Sequence, residues 1–310
     1  MQAFEKYLSC ALCPRECGSN RLKGPPGYCN LTGEMAAICS ICVHHGEEPP
    51  ISGQNGIINV FFMHCNLKCL YCQNIQISGN SQSVYPFLMS TGNIVDTLAR
   101  MLEDCMRPVG FVSPSHYIPH VIEIITGLRN KGYNSVFVYN TNAFDKPESL
   151  RSLEGLIDVY LPDFKYSDAK LGDKLSGAKN YPERALLALK EMYRQKGSTL
   201  ITDENGMAVS GMIVRHLVLP GYIKNSMDTL KTIAEELSPR LHVSLMAQYN
   251  PYYSRCQNPE MNRELTSGEY NSVVEAFHSL GFYRGWIQDL DSRNHYNPDF
   301  NLEKPFQEMD

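Results

Sequence analysis

The sequence predicts an α/β fold: a partial (β/α)6 TIM-like barrel preceded by a cysteine-rich N-terminal extension. Three observations carry this. From Gly56 onward, short β-branched or aromatic apolar runs alternate with longer segments of helical period. Repeated β-α order implies a parallel sheet, wound right-handedly, with helices outside. The competing doubly wound sheet usually carries a glycine-rich phosphate turn after its first strand, and here that position holds three cysteines.

Taken in order, strands are expected at 57–63, 109–113, 135–139, 157–161, 213–219 and 242–247. Between them Ile94, Val95, Leu98, Met101, Leu102 and Cys105 recur at helical spacing, as do Val121, Ile122, Ile125 and Leu128. Cys105 thereby falls on an apolar face and reads as core. Further helices fit 182–194, 227–237 and 267–280. Asn205-Gly206, flanked by Leu200-Ile201 and Ala208-Val209, reads as a hairpin inserted before the fifth strand. The chain thus divides into a cysteine-rich metal-binding extension over 1–55, the partial barrel over 56–288 and a C-terminal tail over 289–310 that packs on the barrel.

At 310 residues and 43% hydrophobic content, the chain can bury a substantial core. A formal net charge of −5 without a dense Lys/Arg run argues against nucleic acid or an anionic membrane as principal partner. The first ten residues include Glu5 and Lys6 and lack the apolar core of a signal peptide. No stretch approaches the ~20 apolar residues of a membrane span. A cytoplasmic location is expected, where thiols stay reduced and eleven cysteines point to metal before disulfides.

Those cysteines are crowded: six precede residue 43, three share one loop and two come later. Cys65-Asn66-Leu67-Lys68-Cys69-Leu70-Tyr71-Cys72 puts three soft thiol ligands after the first barrel strand. A cubane has one ligand per iron, normally four cysteines, so three would leave one iron open to a small molecule. The alternatives are a zinc knuckle with a distant fourth ligand, or unliganded thiols. Cys10, Cys13, Cys17 and Cys29, spaced by two, three and eleven residues among glycines and prolines, can close a zinc site or carry a second cubane. Cys39 and Cys42 read as half of a site in an ordinary half-buried segment. Glu47-Glu48-Pro49-Pro50 reads as a solvated turn, and Cys256, in a Pro- and Tyr-rich loop, as exposed without assigned chemistry.

Function in parallel β/α barrels gathers at the carboxyl ends of the strands. Ser113-Pro114-Ser115-His116, Asn140-Thr141-Asn142, Asp163 with Lys165, and Gln248-Tyr249-Asn250 all fall there. Asp163 and Lys165 share a face if extended and otherwise make a plain salt bridge. Arg215, inside the fifth strand, suits a substrate carboxylate or pairs with an acid such as Asp163. His116 could donate to a ligand, but reads first as packed. Asn140, Thr141, Asp163, Lys165 and Arg215 would then surround the open iron.

At these residues the chain resembles radical S-adenosylmethionine (SAM) proteins related to pyruvate formate-lyase activating enzyme, in particular an uncharacterised activating-enzyme branch. Cys65 to Asn74 carries the superfamily signature. Cys10-Ala-Leu-Cys-Pro-Arg-Glu-Cys17, Gly46-Glu-Glu-Pro49, Tyr160-Leu-Pro-Asp-Phe-Lys-Tyr166 and Arg215-His-Leu-Val-Leu-Pro-Gly221 select the branch. The resemblance implies that Cys65, Cys69 and Cys72 bind a [4Fe-4S] cluster whose fourth iron takes the amino and carboxylate groups of SAM. Tyr71 matches the aromatic position whose backbone meets the adenine, Asp163 and Lys165 an Asp-x-Lys element near SAM, and Arg215 an arginine that contacts it. The implied activity is reductive cleavage of SAM to a 5′-deoxyadenosyl radical, fed by an electron donor such as flavodoxin or ferredoxin. The implied partner is a glycyl-radical enzyme, with a small molecule or peptide as the alternative substrate. Two places depart from the family pattern: Ser113-Pro-Ser-His116 stands where a Gly-Gly-Glu turn is usual, and Asn140-Thr-Asn-Ala143 where Asp-Thr-Asn-Gly is usual.

Overall fold

A computed structural model describes residues 2–294, 297–302 and 304–306. The strands are β1 (Ala36–His44), β2 (Ile57–Phe62), β3 (Leu88–Met89), β4 (Val109–Val112), β5 (Phe137–Thr141), β6 (Val159–Pro162), β7 (Ile201–Thr202), β8 (Ala208–Leu217), β9 (His242–Met246) and β10 (Gly285–Ile287). Their order across the sheet is β10, β9, β8, β6, β5, β4, β2, β1, β3, with β7 paired to β8. Neighbouring pairs from β2 to β10 along this order are all parallel. Among the described residues the end strands β10 and β3 do not meet, so the barrel is partial.

The repeat extends beyond the six strands expected. Gly285–Ile287 adds a seventh parallel strand beside β9. Cys39 and Cys42 lie on β1, which pairs antiparallel with β2 and carries the sheet upstream of residue 56. The expected hairpin forms: β7 pairs antiparallel with the start of β8.

Local chemistry explains the elements. Every residue of β2, β4 and β6 is buried, as strands covered on both faces require. The helix Thr91–Asp104 buries Ile94, Val95, Leu98, Ala99 and Leu102 along one stripe, and the Ser90 hydroxyl caps it by accepting from Asn93 N. Cys105 terminates that helix as a half-buried C-cap, not as one of its core positions. The helix Ser267–Ser279 opens with a reciprocal Thr266–Glu269 capping box.

The N-terminal extension and C-terminal tail both touch the barrel. Ser149 Oγ donates to Leu12 O at 2.7 Å, and Asn80 Nδ2 donates to Tyr28 O at 2.9 Å. Phe300 and Phe306 pack on Phe61, while Gln76 Nε2 donates to Asp299 at 2.9 Å. Cys256 is buried, contrary to its expected exposure, because Arg255 N reaches Leu70 O at 2.7 Å and draws the loop inward. No helix among the described residues is long and apolar enough to cross a membrane.

Candidate active site

The carboxyl ends of the parallel strands surround a cavity of about 650 Å³. Three strand ends turn there through left-handed residues that are not glycine: His64 after β2, Ser113 after β4 and Ala143 after β5, with φ of 64°, 51° and 59°. L-residues adopt this region at a cost, and such conformations cluster at functional sites. The turn at His64 leads directly into the three-cysteine loop.

Cys65, Cys69 and Cys72 all line the cavity. Each sulfur also receives a hydrogen bond. Asn142 Nδ2 donates to Cys65 Sγ at 3.3 Å and Leu67 N donates to it at 3.4 Å. Ser176 Oγ donates to Cys69 Sγ at 3.0 Å, and Ser78 Oγ to Cys72 Sγ at 3.4 Å. Donors aimed at sulfur favour the thiolate and tune a bound cluster. Burial is the main influence the other way, and with the neighbouring thiols it pushes the Cys65 thiol up to about 12 and that of Cys69 to about 11.

Among the described residues, no three His, Cys, Asp or Glu side chains are grouped to hold a metal ion. A cubane differs from a single ion in giving each thiolate its own iron, which spreads the ligands apart. Three thiols on one loop, each with a donor at sulfur and no further cysteine lining the cavity, fit such a cluster with one open iron.

The other expected residues divide. Asn140, Asp163, Lys165, Arg215 and Tyr71 line the cavity. Thr141 faces away: its hydroxyl donates to Asp145 Oδ2 at 2.5 Å within the core. Alternation along β5 turns Asn142 inward instead, where its amide bridges Cys65 Sγ and Asn66 Oδ1. That residue belongs with the site, and its position two after Asn140 is the signal that could have singled it out. His116 is packed in the core, with Nε2 3.0 Å from Met63 O.

Asp163 and Lys165 form an ion pair of 2.6 Å. Burial works against the Lys165 charge, but Asp163 and the neighbouring Cys69 hold its pKa well above the usual lysine value. Arg215 pairs with different acids from the one expected. Its Nε donates to Glu48 Oε1 at 2.8 Å, and its Nη2 contacts both Glu47 and Glu48. The Glu47-Glu48 segment is therefore no solvated turn, since the two side chains are 8% and 6% exposed in these pairs. Burial would raise the Glu47 pKa; Arg215 and His44 overcome it and hold the carboxyl at about 2. Asn59 Nδ2 donates to Glu47 Oε1 at 2.9 Å and completes the network.

Tyr71 ends a buried hydroxyl chain. Its oxygen is 2.6 Å from that of Tyr166, which is 2.7 Å from Ser176 Oγ. The four N-terminal cysteines do not line this cavity; Cys10 and Cys29 are buried, Cys13 is half-buried and Cys17 is exposed.

No family model matches the chain. It is 28% identical over 276 residues to uncharacterized protein MJ0674 of Methanocaldococcus jannaschii, covering 87% of this chain and 74% of that protein. Uncharacterized protein MJ0808 of the same organism is 25% identical over 163 residues, 48% of this chain and 47% of that protein. Among solved structures, the chain is similar to Streptococcus suis SuiB bound to precursor peptide SuiA, with 14% identity, 75% of this chain and 48% of that chain covered, and a TM-score of 0.49. A spore photoproduct lyase gives 10% identity, 81% and 79% coverage and a TM-score of 0.49. A domain of a pyruvate-formate lyase-activating enzyme from Bacteroides vulgatus gives 13% identity, 56% and 93% coverage and a TM-score of 0.40. The chain spans about half the length of SuiB.

Proposed function

We propose that this chain is a radical SAM enzyme, with Cys65, Cys69 and Cys72 as ligands of a [4Fe-4S] cluster and SAM in the adjoining cavity. The observation that carries the reading is the set of three thiols on one loop, each with a hydrogen-bond donor at its sulfur, lining a cavity that holds no further cysteine. When bound, the cluster supplies the electron, received from a donor such as ferredoxin or flavodoxin, that cleaves the SAM C–S bond to methionine and a 5′-deoxyadenosyl radical.

The chain's own residues bind and orient. Asn142 and Ser176 polarise the ligand sulfurs from the barrel side. The paired Asp163 and Lys165 offer an acceptor and a cation to the amino and carboxylate groups of SAM, and Asn140 presents an amide beside them. Arg215, already occupied by Glu47 and Glu48, fixes one wall of the cavity and leaves these acids to face a sulfonium or ammonium charge. Tyr71 and Tyr249, with ring centroids 6.3 Å apart, offer an apolar surface for the adenine. Burial between the strand ends limits the water around a reactive radical.

The test is formation of 5′-deoxyadenosine from SAM and dithionite by the anaerobically reconstituted protein, read by mass spectrometry. No product above a Cys65→Ala control rejects the reading. For the target of the radical, we propose a glycine in a partner glycyl-radical enzyme, resting on the sequence resemblance. A glycyl radical seen by spin resonance in a copurifying partner supports it, and a modified peptide or small molecule without that signal replaces it. Zinc in place of iron and sulfide after anaerobic purification would return the chain to a metal-stabilised binding protein.

A further inference from the structure

A second hollow meets the three-cysteine loop, an open groove of about 550 Å³ lined by none of that loop's thiols. Leu70, Lys174, Arg255, Cys256, Gln257 and Asn258 line it. Leu70 follows Cys69 directly in the chain, so one peptide unit separates the groove from a proposed cluster ligand. Main-chain bonds hold this arrangement. Leu70 N donates to Leu175 O at 2.8 Å, and Arg255 N donates to Leu70 O at 2.7 Å. The end of the helix Ala169–Ser176 and the Cys256 loop are both tied to Leu70 in this way.

The charge of the groove is one-sided. Lys174 and Arg255 are exposed in its lining, and no carboxylate lines it. Among the described residues neither forms an ion pair; Lys174 Nζ reaches the Tyr222 hydroxyl at 3.5 Å, which also accepts from Asn258 Nδ2 at 2.7 Å. Asp173 precedes Lys174 on its helix but is exposed outside the groove. Two more cations border the same segment. Lys68 and Arg15 both lie over the Tyr28 ring, at 4.7 Å and 3.9 Å from its centroid, and Arg15 Nη1 donates to Gly177 O at 2.6 Å. A helix C-terminus attracts cations by itself, which accounts for Arg15 at Gly177. It does not account for Arg255, which arrives on a separate loop. On a chain of formal net charge −5, these cations make a local positive field, which steers an acidic partner.

Resting on the radical SAM reading, we propose that this groove is the docking site of an acidic one-electron carrier protein. SAM and substrate would occupy the cavity lined by the thiols, so a carrier must approach the loop from elsewhere, and the groove at Leu70 is such an approach. One electron leaves the carrier, which is oxidised by it, and enters the cluster, which is reduced by it. No bond is made or broken in this transfer.

The experiment uses the full chain with its cluster reconstituted, and a reduced flavodoxin and a reduced ferredoxin, each of net negative charge, as probes. Carrier binding is measured by titration, and 5′-deoxyadenosine formation is driven either by the carrier or by dithionite. Lys174→Glu and Arg255→Glu are each expected to weaken carrier binding and carrier-driven turnover roughly 10-fold at low salt, with dithionite-driven turnover at the parent level. High salt should shrink the difference. Arg240→Glu makes the same charge change before the start of β9, at the opposite end of the barrel, and should leave binding unchanged. Binding indifferent to both groove variants, or weakened as much by Arg240→Glu, overturns the docking site. So does a loss shared equally by dithionite, which would place the effect at the cluster itself. A parent that turns over with dithionite but binds neither carrier overturns this proposal alone, whereas a parent inactive with every reductant rejects the radical SAM reading.

Discussion

The Ser176 hydroxyl donates to the Cys69 sulfur at 3.0 Å, joining residues 107 positions apart in the chain. A liganded thiolate only accepts, so Ser176 must accept in turn from Tyr166, and Tyr166 from Tyr71. The polarity of the whole chain of hydroxyls is set at one sulfur. Ser176→Ala removes the contact itself and is expected to lower cluster retention or SAM cleavage by roughly 10–100-fold, as loss of partners around metal ligands does. Tyr71→Phe removes only the far end and should cost less. Rates of 5′-deoxyadenosine formation and the cluster midpoint potential check the order; equal effects would show that the chain does not act through Ser176.

Arg215→Met would strand Glu47 and Glu48 as buried carboxylates. Breaking a buried pair on one side costs about 3–5 kcal/mol. A drop in thermal midpoint is expected in the apo chain, without any cofactor present. The triple variant that also carries Glu47→Gln and Glu48→Gln should recover part of it. A single variant as stable as the parent would show that the network carries no stability.

Acid should unfold the apo protein from an unusually early point. Burial depresses His116 and His120 to about 3 and His216 to about 4. Each is neutral in the folded state at pH values where the unfolded chain, near 6.5, takes up a proton. Stability from these groups is full above that value and falls as pH drops toward the folded pKa, by as much as ~1.4 kcal/mol per pH unit for each. Glu47 adds a loss of the same sign below the ordinary carboxylate range, toward its folded value of about 2. Denaturant unfolding from pH 8 to pH 4 measures the slope, and His216→Gln should flatten it. A slope unchanged by that substitution removes His216 from the account.

Gly110 on β4 faces Asn59 across the sheet so closely that an added Cβ would overlap the Asn59 side-chain oxygen. Gly110→Ala would push Asn59 off Glu47 and disturb the wall built on Arg215. Overpacking of this kind costs typically ~1–3 kcal/mol. Thermal melts of the apo chain test it, and Gly110→Ala combined with Asn59→Ala should be milder than the sum of the two.

Much of this frame is legible ahead of the structure because the longer parallel strands are continuous apolar runs followed by amphipathic helices, as at Ile57–Phe62 and Thr91–Asp104. Gly285–Ile287 is not, since three residues with one β-branched member set no period. β1 hides behind its cysteines, which draw the eye to metal. Glu47 and Glu48 look like a solvated turn because the cation that buries them lies 168 and 167 residues away. Thr141 and Asn142 both fall at a strand end, and only the pleat decides which of them faces the cavity.

Arg15 reaches forward in the chain, to Asn66 O across 51 residues and to Gly177 O across 162. Synthesis delivers the cysteine-rich extension first and its mooring points much later, since domains emerge from the N-terminus at a few to tens of residues per second. During that interval the N-terminal segment is present without the barrel surface on which it packs. The late closure of these distant contacts would then be the step that commits the N-terminal segment to the barrel.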